Sequence, residues 1–148
     1  AADLFALLSS ISSVPFRQDL AITGSVNQKG RIQPVGGVTT KVEGYFRVCQ
    51  LFGLTGSQGV VIPAANVENL VLHREVLQAI REGLFHIYPI TDIDEGISLF
   101  VDNEFGITAD ELHRRVERRL DEWRKLAQPI DCKTGADVSL DAEEQAGS

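Results

Sequence analysis

Lys41 is the residue with the most chemical promise in this sequence. It stands four positions after the second glycine of a Gly36-Gly37 pair and is surrounded by Val38, Thr40 and Val42. Burial disfavours an ammonium ion, so a desolvated lysine falls from about 10.4 towards about 7 or 8 and can take a proton from a hydroxyl near neutral pH. Lys41 is therefore a candidate general base. The competing reading is an ordinary lysine of a first helical turn with its head in water, and spacing alone favours that second reading.

The remaining chemistry-bearing residues offer less. Gly36 and Gly37 suit a tight strand-to-helix corner, and no Gly-x-x-x-x-Gly-Lys-Ser/Thr phosphate loop accompanies them. Gly53, Gly56 and Gly59 lie between a helix and a strand, the wrong order for a dinucleotide fingerprint. His73, His86 and His113 share no ligand spacing with Cys49 or Cys132, so no resident metal is expected.

The elements that must position Lys41 follow from apolar periodicity. Asp3 to Ser13 carries Leu4, Phe5, Leu7, Leu8 and Ile11 at helical spacing and is closed by Pro15. The chain opens inside this helix, so the sequence is expected to continue upstream. Asp19 to Thr23 reads as a buried strand that forms a hairpin, through the turn residues Asn27 to Gly30, with Arg31 to Val35. Thr39 or Thr40 is expected to cap a helix from Lys41 to Phe52, ended by Gly53. Gly59 to Ile62 is an apolar run stopped by Pro63, as in a strand buried on both faces of a mixed sheet. Asn66 to Leu72 and Glu75 to Glu82 read as helices, Phe85 to Ile90 as a strand and Ile93 to Phe100 as a helix. Thr108 to Ala127 is a helix with a capping box from Thr108 and Glu111; its stripe of Leu112, Val116, Leu120 and Trp123 faces either a core or a neighbouring copy. The fold class is α/β, a mixed β-sheet with helices packed on it.

Composition sets outer bounds. The chain has 148 residues, 43% of them hydrophobic, enough for one core; residues 1–128 are expected to form one domain and 129–148 an acidic, flexible tail. A net charge of -7 argues against a nucleic-acid surface, and the basic residues from Arg114 to Lys125 are interleaved with Glu117, Asp121 and Glu122. Two cysteines and no apolar run near the length of a bilayer fit a soluble protein of the reducing cytoplasm.

The run Thr23-Gly24-Ser25, then Gly30 through Lys41 with its Pro34-Val35-Gly36-Gly37 corner, then Val60-Val61-Ile62-Pro63 and Asn66, resembles the proteolytic domain of Lon proteases. The likeness covers about Ala1 to Phe100, and the wording from Lys41 to Phe46 is most like the Lon-like homologues of Gram-negative bacteria. The resemblance implies a serine endopeptidase working with a serine-lysine pair, Lys41 being the lysine and Thr23 the threonine that orients its amine. The family's serine lies in a turn just before the first helix, so its counterpart is expected a few residues upstream of Ala1, and this chain alone is expected to be inactive. Ser9, Ser10, Ser12 and Ser13 fall in or at the end of that helix, where hydroxyls bond back to the backbone, and Ser25 sits in a turn. The resemblance further implies unfolded polypeptide as substrate, a six-membered ring of copies, and ATP with magnesium in a separate module, with no cofactor in this domain. Two other readings stand beside it: a ring-assembly unit without hydrolysis, and an unrelated α/β module that binds an anion at the helix start after Gly37.

Overall fold

A computed structural model describes residues 1–101 and 106–127. The proposed domain boundary at 128 and the acidic segment after it lie outside the described residues. The elements are α1 (Ala2–Ser12), β1 (Leu20–Ile22), β2 (Ser25–Val26), β3 (Ile32–Gln33), α2 (Val38–Phe52), β4 (Gly59–Pro63), a 3-10 turn (Ala64–Asn69), α3 (Arg74–Arg81), β5 (His86–Ile90), α4 (Ile93–Phe100) and α5 (Ala109–Leu126).

Strand β4 is the centre, and it is buried at all five positions. It pairs in parallel with β1 on one side and β5 on the other, giving the order β1-β4-β5. Alternate side chains of a strand leave on opposite faces. Val61 accordingly joins a core with Phe5, Leu8, Ile97 and Leu112 of α1, α4 and α5. Val60 and Ile62 join a second core with Val42, Phe46 and Val76 of α2 and α3. In the first core Phe5 and Phe100 sit with ring centroids 5.3 Å apart, and Phe16 lies 5.9 Å from Phe100.

Several expectations need correction. The hairpin does not involve Leu20 to Ile22, which pair in parallel with β4; it is the short β2-β3 pair. Leu20, Ala21 and Ile22 send side chains into both cores, and Gly24, with φ 149°, breaks the strand before the hairpin begins. Helix α2 starts at Val38 and not at Lys41, and neither threonine caps it: its N-cap is Gly37, left-handed at φ 68°, with no side-chain cap. The stretch from Asn66 to Leu72 is not an α-helix but the end of the 3-10 turn followed by chain outside any helix or strand, with Leu70 extended at ψ 109°. Thr108 accepts from the Glu111 amide at 3.3 Å, but Glu111 turns to Arg114 and Arg115, so only half of the capping box forms. Along α5 the stripe is divided: Leu112 is fully buried, whereas Leu120 and Trp123 are exposed.

Close approach of β4 and β5 gives a direct check. A Cβ on Gly59 would lie 2.7 Å from the His86 carbonyl oxygen and 2.8 Å from Tyr88 Cε2, whereas one on Gly44, inside α2, would meet nothing within 4 Å. In urea denaturation Gly59→Ala should cost about 1–3 kcal/mol, and Gly44→Ala should add about 0.5–1 kcal/mol. A neutral Gly59→Ala would contradict the strand spacing described here.

Candidate active site

Three segments converge on the carboxyl edge of the parallel strands, the usual location of a site in a sheet of this type. The β1 ladder runs on past the strand as the Thr23 amide donates to the Val61 carbonyl at 3.0 Å. At Gly24 the chain turns away so closely that a Cβ there would lie 3.2 Å from Pro63 Cγ. The terminal ammonium of Ala1, at the start of α1, donates to the Gly24 carbonyl at 2.9 Å. Asn66, just after β4, bonds to both main-chain groups of Val35, and the corner from Val35 to Gly37 then delivers the chain to α2. The start of α1, the end of β1 and the start of α2 are thus gathered at one edge.

Lys41 lies in the first turn of α2, where its amide donates to the Gly37 carbonyl at 3.2 Å. Lys41 is exposed, as its spacing alone favours, and the burial that the general-base reading asks of it is not found. The reason lies in helix geometry. Val38, Val42, Phe46 and Cys49 form the stripe that faces the sheet, and Lys41, one residue before Val42, is rotated about 100° off that line. Thr23 is half-buried, and among the described residues no hydrogen bond joins its hydroxyl to the Lys41 amine. The fold brings the two segments to one edge without linking the two side chains. Of the helix serines, Ser12 behaves as expected and donates its hydroxyl back to the Leu8 carbonyl, whereas Ser9 donates forward to the Val14 carbonyl, both at 2.6 Å.

A second tie holds α2 further along. Tyr45, one turn after Lys41, donates its hydroxyl to the Asp19 carbonyl at 3.1 Å, at the entry to β1. Burial pushes the Tyr45 phenol up to about 12, and the neighbouring Cys49 sulfur adds to the rise. Burial also pushes the Cys49 thiol up. The side chain of Asp19 accepts from Arg17 at 3.0 and 2.7 Å, and that bond holds its carboxyl below the ordinary carboxylate range. Sequence reasoning missed the roles of both Asn66 and Tyr45. A phenol at helical spacing from Lys41 reads as core material, and an Asn after Ile-Pro reads as the start of a helix.

Residues 2–102 match the family described as the Lon protease C-terminal proteolytic domain. The chain is 50% identical over 100 residues to a Lon protease homolog of Escherichia coli, covering 68% of this chain and 17% of that protein. It is 38% identical over 122 residues to a Lon protease homolog of Haemophilus influenzae, with 78% and 20% covered. An archaeal Lon protease of Thermococcus kodakarensis is 32% identical over 115 residues, with 78% and 16% covered. The chain belongs to the Lon proteolytic-domain family, whose α/β architecture with a mixed set of parallel and antiparallel strands it shares. It spans a fifth or less of the length of these relatives. Among the described residues no helix is long and apolar enough to cross a membrane.

The latch at Tyr45 carries a pH signature. Its folded-state value of about 12 lies above the ordinary value of 10.0, so the stability it contributes is complete below about pH 10 and is lost as the pH climbs towards 12. Raising the pH from about 8 to about 11 should therefore narrow the difference in urea midpoint between the wild type and Tyr45→Phe. A difference that stays constant would place Tyr45 in water.

Proposed function

We propose that this chain is the C-terminal part of a serine-lysine endopeptidase domain, in which Lys41 is the general base and the nucleophilic serine is contributed by residues that precede Ala1. The observation that carries the proposal is that the start of α1 lies against Gly24, next to Thr23, at the edge where α2 also starts; the contact there is made by the terminal ammonium of Ala1, whose place a peptide amide takes in a longer chain. In the family order the serine immediately precedes the first helix, so its hydroxyl would enter this edge beside Thr23. Neutral Lys41 would take the hydroxyl proton as the oxygen attacks a peptide carbonyl, then return it to the departing amine, leaving an acyl-enzyme that water hydrolyses. The Thr23 hydroxyl would orient the amine, and backbone amides near the serine would bind the oxyanion. Because Lys41 is exposed on this chain, its dehydration would fall to the serine-bearing residues, a bound polypeptide or an adjacent copy.

The same reading gives unfolded polypeptide as substrate, a six-membered ring of copies as the assembly, the cytoplasm as the setting, and ATP with magnesium in a separate module. The exposure of Lys41 favours one rival, a unit that keeps the fold and the ring contacts without hydrolysis. The two readings separate on a single substitution in the longer protein. Lys41→Ala and Lys41→Arg should each lower kcat/KM on casein by about 1000-fold or more, while the urea midpoint shifts by no more than about 0.5 kcal/mol. Thr23→Val should lose less. Cleavage that survives Lys41→Ala would remove this lysine from the mechanism.

A further inference from the structure

Helix α2 begins without the usual devices. Its N-cap is a glycine with no side-chain cap, and its first turn holds no acidic residue. Packing does not hold the approach either: a Cβ placed on Gly36 or Gly37 would meet nothing within 4 Å, and both residues are exposed. Two consecutive glycines give a chain with wide conformational freedom, so the approach to α2 is unheld between the buried Val38 and whatever fixes the chain before Gly36.

Asn66 supplies that fixed point. Its Oδ1 accepts from the Val35 amide at 3.0 Å and its Nδ2 donates to the Val35 carbonyl at 3.0 Å, a two-point clasp across 31 residues of chain. One planar amide thereby does for Val35 what a neighbouring strand would do for it. The clasp is itself anchored, because Asn66 lies in the 3-10 turn that leaves the end of the wholly buried β4, three residues after Pro63. Beyond the corner, Val38 and Val42 are seated in the core, and Lys41 lies between them in sequence. The orientation of the lysine is therefore set from two sides, by valines below and by Val35 behind.

We infer that Asn66 is a positioning residue for the peptidase, holding the Pro34-to-Gly37 corner so that the first turn of α2 presents the Lys41 amine in one direction. This rests on Lys41 being the base. Aspartate is the informative replacement: it keeps the volume and an acceptor for the Val35 amide, but it has no donor and turns a charge towards the Val35 carbonyl. Asn66→Ala removes both bonds.

The test uses the longer, serine-containing protein with a fluorogenic peptide and three variants, Asn66→Ala, Asn66→Asp and Lys41→Ala. Misplacing a base by about 1 Å costs up to about 100-fold, so Asn66→Asp should lower kcat about 10- to 100-fold, leave KM within about threefold and displace the acid limb of the kcat/KM profile. Hydrogen exchange of the amides from Val35 to Lys41 should quicken about tenfold or more in both Asn66 variants while β4 stays protected. If Lys41→Ala is inactive and Asn66→Asp turns over within about twofold of the wild type, the positioning role is wrong and the base assignment stands. A fall in kcat with the acid limb and the exchange of this segment unchanged also overturns it. Should Asn66→Ala fail to fold, Asn66→Asp alone decides between these results. Full turnover by Lys41→Ala would sink the base assignment and this inference together, with the exchange data still reporting whether the clasp exists.

Discussion

The parallel pairing of β1 with β4 is the constraint on which the carboxyl edge depends. Leu20, Ala21 and Ile22 lie opposite Gly59, Val60 and Val61, and the ladder continues to the Thr23 amide. A parallel neighbour makes both strands end at the same edge, so Thr23, Gly24 and Pro63 meet there by geometry alone. From that meeting point the chain leaves in three directions: to the hairpin through Gly24, to the 3-10 turn through Pro63, and, across a hydrogen bond, to the start of α1. Moving β1 by one residue would send its side chains to the wrong cores and carry Thr23 away from the helix starts.

The two cores divide the work. Helices α1, α4 and α5 cover one face and α2 with α3 the other, and β4 feeds side chains to both. Burial of the α2 stripe fixes which face of that helix meets the sheet. It also leaves Lys41 beside the stripe and open to water. A lysine in that position has reach and direction but no dehydration of its own, so any chemistry it performs draws its low-dielectric surroundings from outside these residues. Membership of a peptidase family and an exposed lysine are compatible on those terms.

Much of this architecture was legible in the sequence because buried strands and amphipathic helices carry strong periodic signals. The run from Ile93 to Phe100 and the apolar stretch after Gly59 are where periodicity placed them. What periodicity does not encode is partnership. The residues from Leu20 to Ile22 look equally ready for a hairpin or a parallel neighbour, and only the kink at Gly24 and the two-sided packing decide the matter. Two threonines look like caps and point to a later start for α2, whereas Gly37 before them takes the left-handed turn. At the site, the Gly-Gly corner and Lys41 stand out by residue type, and spacing alone favours the water-exposed amine that the structure has; the desolvated amine is asked for by the proposed chemistry, not by the local pattern. Asn66 and Tyr45 reach partners distant in sequence, and a local pattern holds no record of either contact.

The central claim is that the edge assembled by β1, β4 and the two helix starts directs one amine at one hydroxyl. An experimental structure of the longer chain, with the residues before Ala1 ordered, measures this directly. The account predicts the Lys41 Nζ within about 3 Å of a serine hydroxyl in the turn ahead of α1 and in hydrogen-bond reach of the Thr23 hydroxyl. An amine pointing into solvent, with that serine more than about 6 Å away and no lid or neighbouring copy closing over it, would contradict the account.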